Sequence, residues 1–448
     1  MMNSTLGKIT SSHPHGPDTV LSDTVHGHDT GSGLGKGNKS RTFLSEKAEP
    51  FFDVVTIDEA VRTVRSIAKQ TGTETIMIDE AEGRVLAESI ITQENIPGFD
   101  RSWKDGYAVI AQDTYPATEN SPVILSLCGS IAMGKSKKGQ IQSGECMYIP
   151  TGGQMPDGAD AVVMIEYAEQ VGDRVLIRQP VVVRENVIAK DEDFHAGTVI
   201  YPVASTLRPQ DIGVLAAIGK TRISVRKNPR IAIISTGVEL VPAEAIPRTG
   251  EVREVNSHLI SVFLRKQGAI PVRYGIIRDN LDELKSTIET ASSECDAVIV
   301  SGGSSKDRND ITFRAIASLG KVFVHGISIA PGKPTIIGQC GDVPVIGLPG
   351  HPVSTFMVMT LVAVHLIQAM KGAPCQHIYK KTIKMATDLK SEGGREQYIR
   401  VRIENDEATP VLGKSGLLNT LLHSDGIIHI PTGKEGLVKG EEVEVRLW

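Results

Sequence analysis

Ala297-Val-Ile-Val-Ser-Gly-Gly-Ser-Ser305 is a short apolar strand that breaks into a glycine turn, and its reading decides the fold. Two further loops of this kind follow. Ala330-Pro-Gly-Lys333-Pro334 leads into Thr335-Ile-Ile-Gly338. Gly347-Leu-Pro-Gly350-His-Pro-Val-Ser354 comes after Val343-Pro-Val-Ile346 and opens an apolar helix. Each loop is expected directly after a short apolar strand. In an open α/β sheet, loops at the carboxyl ends of strands form the ligand crevice. Glycine lets backbone approach a ligand closely, and free N–H groups at a helix start favour an anion. Lys333, Ser305 and Ser354 supply polar side chains at the same rim. The pattern predicts a site for a phosphate-bearing molecule or an oxyanion.

Outward from these loops, the chain reads as doubly wound α/β from Arg230. Ile231-Ala-Ile-Ile234 is a buried strand that ends in Ser235-Thr-Gly237. Asn256 to Lys266 reads as a helix and Pro271 to Ile277 as a strand. Asn280 caps a helix that carries Leu281, Leu284, Ile288 and Ala291 on one face. The apolar run from Val353 to Met370 is interrupted by Ser354, Thr355, His365 and Gln368, which predicts a buried helix and not a membrane span. After residue 376 the pattern becomes short alternating strands, such as Tyr398-Ile-Arg-Val-Arg-Ile403 and Glu442-Val-Glu-Val-Arg-Leu447.

Upstream, Thr56-Ile-Asp-Glu59 is a capping box that starts a helix. Pro97 to Val109 is a loop dense in polar groups. From Val123 to Val187 short strands alternate with glycine. The expected organisation is an α/β multidomain protein. It has a tail at 1–48, an N-terminal α+β region at 49–122 and 188–229, and a β-rich insert at 123–187. An α/β domain at 230–373 and a C-terminal β-barrel at 374–448 complete it.

At 448 residues the chain exceeds one ordinary core. Its net charge of −5 and the lack of any nucleic-acid module predict no nucleic-acid partner. Five cysteines, with no CxxC pair, support neither a zinc knuckle nor a disulfide framework, so a reducing cytoplasm is expected. The first 48 residues are rich in Gly, Ser, Thr and His and should be disordered. Their two HxH pairs, His13/His15 and His26/His28, read more readily as an inert solvated tail than as a metal site.

The motifs also carry a family likeness, from about Phe51 to Trp448. Phe99-Asp-Arg-Ser-Trp-Lys-Asp105-Gly-Tyr-Ala-Val resembles one segment of the molybdopterin molybdenumtransferases, the family of bacterial MoeA and the gephyrin E domain. Thr151-Gly-Gly-Gln-Met-Pro-Asp-Gly-Ala-Asp160 resembles a second. Further matches are Glu192-Asp-Phe194 with Gly197, Ile233-Ile-Ser-Thr-Gly237 with Glu239-Leu240, and Ser301-Gly-Gly with Ser305 and Asp310. Pro331-Gly-Lys-Pro334 and Gly347-Leu-Pro-Gly350 with Pro352-Val-Ser354 complete the series. Each motif is weak alone; seven in one order are specific.

The resemblance implies a fold with a molybdopterin-binding-like α/β domain, acting as a homodimer with its site in a cleft between subunits. It implies insertion of molybdenum from molybdate into adenylylated molybdopterin, with Mg²⁺ and release of AMP. It further implies a molybdopterin adenylyltransferase or an acceptor molybdoenzyme as protein partner, and no membrane. By the same likeness Asp105, Glu192 and Asp310 are candidate metal-binding carboxylates, with Lys333 a catalytic contact. Ser102, Thr151, Gly302, Gly303, Ser305, Gly332, Pro349, Gly350, Pro352, Ser354, Arg395 and Ser415 are candidate substrate-binding residues. Bland roles stand beside these: Asp105 as a turn residue, Asp310 as a helix N-cap, Arg395 as a surface charge.

Five positions depart from the family pattern: Val238, Glu254, Asp307, Ala330 and His351. Ala330 lacks a common cation and Asp307 adds a carboxylate, so the rim is less positive, and His351 stands where the family commonly has Asn. A non-catalytic scaffold on the same fold and a tungsten-inserting variant are the competing readings. An adenylyltransferase is a third, disfavoured by the extra domains.

Overall fold

The computed structural model describes residues 54–134, 139–303, 310–374 and 379–448. The expected tail, its HxH pairs, Ser305 and Asp307 lie outside these residues. Residues 50–448 form one compact unit.

Its centre is a six-stranded sheet. The strands are β1 (Arg230–Thr236), β2 (Ile270–Ile277), β3 (Ala297–Ser301), β4 (Gly320–His325), β5 (Ile336–Cys340) and β6 (Val343–Leu348). Their spatial order is β2-β1-β3-β6-β5-β4. The pairs β1–β2, β1–β3 and β3–β6 are parallel, and β5 runs antiparallel to β6 and β4. β1 and β3 are buried on both faces because each face carries a separate apolar core. One core packs Ile231, Ile233 and Ile299 against helix α1 (Asn256–Lys266) and the C-terminal helix of this region. The other packs Ile234, Val298 and Val300 against α2 (Leu281–Glu294) and α3 (Ile311–Leu319). Each fully buried Ile or Leu contributes about 1.5–3 kcal/mol.

The helix at Pro352–Met370 is long and apolar enough to cross a membrane, yet 78% of that window is buried in the protein. Val353, Met357, Val358 and Ile367 belong to the first core. The expected helix caps are present. The Asn280 side chain accepts from the Asp282 and Glu283 N–H groups. Thr56 and Glu59 form the reciprocal capping box of helix Ile57–Ser66.

Around this centre lie two further six-stranded sheets. Residues after Lys380 form a barrel. Strands Glu396–Glu404, Glu407–Pro410, Lys380–Met385, Glu442–Leu447 and Gly426–Ile430 pair in sequence, and the last returns to the first. The β-rich insert begins earlier than residue 123. Gly106–Val109 is an inner strand of its six-stranded sheet, paired with Glu145–Ile149 and Ala161–Met164. The polar groups before Gly106 mask this strand in the sequence, yet all four of its residues are buried. Ile329–Ala330 also departs from expectation. It pairs with Glu396 and Gln397 of the barrel and not with the central sheet.

Four described cysteines, Cys128, Cys146, Cys295 and Cys340, are free thiols. Burial pushes the Cys146 thiol up to about 12 and the Cys340 thiol up to about 11, which leaves both as inert core groups.

Candidate functional site

Sheet register builds the site. Ser235 lies beside Ser301, and Ser301 beside Leu348. The loops that follow these strands therefore emerge at one edge. Antiparallel β5 begins at that edge, with Ile336 opposite Gly347, so the 330–335 loop arrives there too. The result is a crevice of about 1910 Å³ between the central sheet and the barrel.

Most candidate residues of this region line it. Gly302, Gly303, Gly332 and Lys333 do so from two loops. Pro349, Gly350, Pro352 and Ser354 do so from the third, and Arg395 and Ser415 from the barrel side. Gly302 has φ +101°, and a Cβ there would sit 2.1 Å from the Thr236 carbonyl oxygen. The glycine thus serves close packing of two strand ends as well as any ligand. Gly302→Ala is expected to lower stability by about 2–5 kcal/mol, from backbone strain plus overpacking. Urea denaturation of both forms checks it; an unchanged midpoint would show that the turn relaxes freely.

The Lys333 loop is pinned. Its carbonyl accepts from the Ile327 and Thr335 N–H groups at 2.9 and 2.8 Å. The Gly332 carbonyl accepts from the Thr335 hydroxyl at 2.7 Å. Arg395 is partly exposed and pairs with Glu392 at 3.1 Å.

The crevice holds further residues that the motifs did not mark as ligands. Asn256, buried at the start of α1, donates from Nδ2 to Ser301 Oγ at 2.9 Å and to the Gly350 carbonyl at 2.8 Å. It ties the first and third loops together. Glu254, also buried, accepts from the Ser257 N–H at 2.7 Å and its hydroxyl at 2.5 Å. Both carboxylate oxygens are thus committed at the helix start. Thr236 donates to Asp279 at 3.0 Å. The partners of Asn256 and Thr236 are distant in sequence, so spacing gave no signal for them, whereas the Glu254–Ser257 pair is local.

Asp105, Ser102, Thr151 and Glu192 do not line the crevice. The first three meet in a separate loop cluster. Asp105 Oδ1 accepts from the Thr151 N–H at 2.8 Å. Ser102 is buried, and its backbone bonds to Gly152 and Gly153. Ile188 pairs with Arg101, which brings the Glu192 segment alongside. Glu192 is exposed and accepts from the Ala189 N–H at 2.6 Å. Asp100 anchors the same cluster. Burial raises its pKa, but the Lys190 N–H and the Arg184 guanidinium outweigh burial and hold it below the usual carboxylate range.

Asp310 occupies a third place. It is 3% exposed, caps α3 by accepting from the Phe313 N–H at 2.8 Å, and faces His325 at 3.6 Å. Among the described residues no three His, Cys, Asp or Glu side chains form a group able to hold a metal. Within one chain, then, Asp105 and the Glu192 segment lie in one loop region, and Asp310 lies apart from them at the start of α3.

Comparison with known proteins covers almost all of the described chain. The family model of the MoeA N-terminal region (domain I and II) matches residues 55–219. That of the probable molybdopterin binding domain matches residues 232–369. That of the MoeA C-terminal region (domain IV) matches residues 382–448. A putative molybdopterin biosynthesis protein of Methanocaldococcus jannaschii is 34% identical over 83% of this chain and 91% of its own length. A molybdopterin molybdenumtransferase of a Nostoc species is 30% identical over 85% of this chain and 90% of its own. The crystal structure of a molybdopterin biosynthesis moeA protein from Pyrococcus horikoshii is 33% identical and aligns with a TM-score of 0.79. That alignment spans 88% of this chain and all of the other.

Proposed function

Because this chain belongs to the molybdopterin molybdenumtransferase family, we propose that it transfers molybdenum from molybdate to adenylylated molybdopterin and releases AMP, with magnesium. The chain is a transferase of molybdenum cofactor biosynthesis, and molybdopterin and molybdate are its substrates. The observation that carries the finer reading is the crevice itself. Two glycine turns and a pinned lysine loop converge on one sheet edge, where phosphate and molybdate, both anions, need backbone N–H groups and a cation.

Within that reading the loops around Gly302 and Gly350 bind anionic oxygens through backbone. Lys333 offsets their charge. Arg395 and Ser415 orient the ligand from the barrel side, and Ser354 from the third loop. Asp105 and Glu192 each spend one carboxylate oxygen on a neighbouring N–H and have the other to offer. Two such oxygens do not make a protein cage. They do fit magnesium, which keeps several waters and takes one or two carboxylates beside substrate phosphates. When bound, magnesium supplies neutralisation of phosphate charge. Asp310 acts by fixing the start of α3.

We further propose a homodimer in which the Asp105 cluster of one copy completes the crevice of the other, since neither surface is complete alone. Sedimentation at micromolar concentration is expected to give a species near twice 48.2 kDa. A lone 48.2 kDa species would contradict the shared site. The four-part organisation and a cytoplasmic location belong to the same proposal. Separate apolar cores in the central sheet, the insert and the barrel support the former.

The test is incubation of the chain with adenylylated molybdopterin, magnesium and molybdate, following AMP. Release that depends on all three supports the assignment. A parallel arm with tungstate separates the tungsten-inserting variant, and no release in either arm favours a scaffold.

A further inference from the structure

His351 and Ser415 meet across the crevice although 64 residues separate them. His351 Nδ1 lies 2.8 Å from Ser415 Oγ. One residue stands on the third loop of the central sheet, and the other on the segment that follows the barrel strand Glu407–Pro410. A backbone bond runs beside the pair: the Val353 N–H donates to the Ser415 carbonyl at 3.1 Å. That bond already docks the segment. The side-chain contact is therefore not needed to hold the two walls together, and its consequence lies in the protons.

A serine hydroxyl has one proton and two acceptor lone pairs. If Ser415 donates to Nδ1, it has no proton left for a ligand. If Nδ1–H donates to Oγ, the Ser415 proton turns free into the crevice. A fully ionised tetrahedral oxyanion carries acceptors only, so it binds the second arrangement alone. His351 is exposed, so its Nε2 can exchange its proton with water and the ring can take the required tautomer. Lys333 lines the same crevice, and Lys414 adjoins Ser415.

We propose that His351 is a positioning residue for oxyanion binding: its Nδ1–H holds the Ser415 oxygen and frees the Ser415 hydroxyl as a donor to molybdate. This rests on the transferase reading above. It also gives a physical sense to His351 at a position where the family pattern commonly has Asn. An Asn side chain places an amide N–H close to where His351 Nδ1 stands, and that amide donates in every state. The two residue types thus perform one task, with the histidine form depending on the ring tautomer.

The test uses the full chain and three probes: molybdate and tungstate by equilibrium dialysis with metal analysis, and AMP by calorimetry. His351→Ala leaves the Ser415 hydroxyl in place but no longer held in its donating orientation, and is expected to weaken oxyanion binding by about 3- to 10-fold. Its AMP affinity should stay within about twofold. Ser415→Ala, which removes the donor itself, should lose about tenfold, and the double variant no more than Ser415→Ala, because His351 acts only through Ser415. His351→Asn should bind the oxyanions within about twofold of the parent. A purely structural role predicts another pattern: lower melting temperatures and equal losses for all three probes, with no rescue by asparagine. That pattern would overturn the proposal, as would unchanged molybdate binding by His351→Ala. If the parent chain binds neither oxyanion, the transferase reading falls with it; if the parent binds and His351→Ala binds equally well, only the role of His351 falls.

Discussion

Lys333→Ala is expected to weaken binding of molybdate or of the adenylylated pterin by about 10- to 150-fold. A charge-assisted contact to an oxyanion is worth roughly 1.5–3 kcal/mol. The lysine stands on a loop in which the preceding Gly332 carbonyl and its own carbonyl are tied back, at 2.7 Å and 2.8–2.9 Å. Little loop entropy is therefore lost when it engages a ligand. The neighbouring Ala330 leaves Lys333 without the second cation common in the family, so more of the electrostatic attraction rests on it. The loss should be larger at low salt than at high salt, as counterions screen a partly exposed charge. Lys333→Arg should recover only part of the affinity, because a planar fork does not replace a compact ammonium. Calorimetric titration of the parent and both variants checks this. Equal affinity for Lys333→Ala would remove the anion site from this loop.

The central domain was legible because its signals are local. The strand ending at Thr236, the helix from Asn256 to Lys266 and the Asn280-capped helix all follow from apolar period and caps within a few residues. The same holds for the barrel strands Glu396–Glu404 and Glu442–Leu447. Gly106–Val109 was hidden because only tertiary pairing turns four residues after a polar loop into an inner strand. Of the site, the three loops could be read from glycine and proline punctuation. What could not be read was which groups meet. Ser102 finds Gly152 and Gly153, and Asn256 finds Ser301 and Gly350, across 45 to 94 residues for the asparagine. His351 finds Ser415 in the same way. No period or spacing encodes such pairs; they follow from strand register. The candidate carboxylates show the converse. The family pattern names Asp105, Glu192 and Asp310 together, whereas the fold of one chain sets Asp310 at a helix start apart from the loop region of the other two.

Asp105→Asn is expected to reduce AMP release by at least about 10- to 100-fold, the cost typical of losing even an outer partner of a metal site, while the melting temperature stays within a few degrees. The structure separates the two parts of this claim. The Asp105 backbone carbonyl accepts from the Ile165 N–H whatever the side chain, and the side chain accepts a hydrogen bond from the Thr151 N–H to Oδ1 at 2.8 Å. An asparagine carbonyl oxygen accepts that bond equally well, so the turn that joins the two motifs should survive. What asparagine cannot supply is the formal charge. A hard cation draws most of its binding from charged oxygen, and magnesium, which holds its waters tightly, has few protein contacts to lose. The half-saturating magnesium concentration should therefore rise in Asp105→Asn, and added magnesium should restore part of the rate. Asp105→Ala provides the contrast. It removes both the charge and the acceptor, leaves the Thr151 N–H without its protein partner, and should lower the melting temperature as well as the rate. Paired assays of AMP release against magnesium, with thermal unfolding of the same samples, distinguish the outcomes. Full turnover by Asp105→Asn at ordinary magnesium would reduce Asp105 to a turn residue and remove its loop cluster from the proposed shared site.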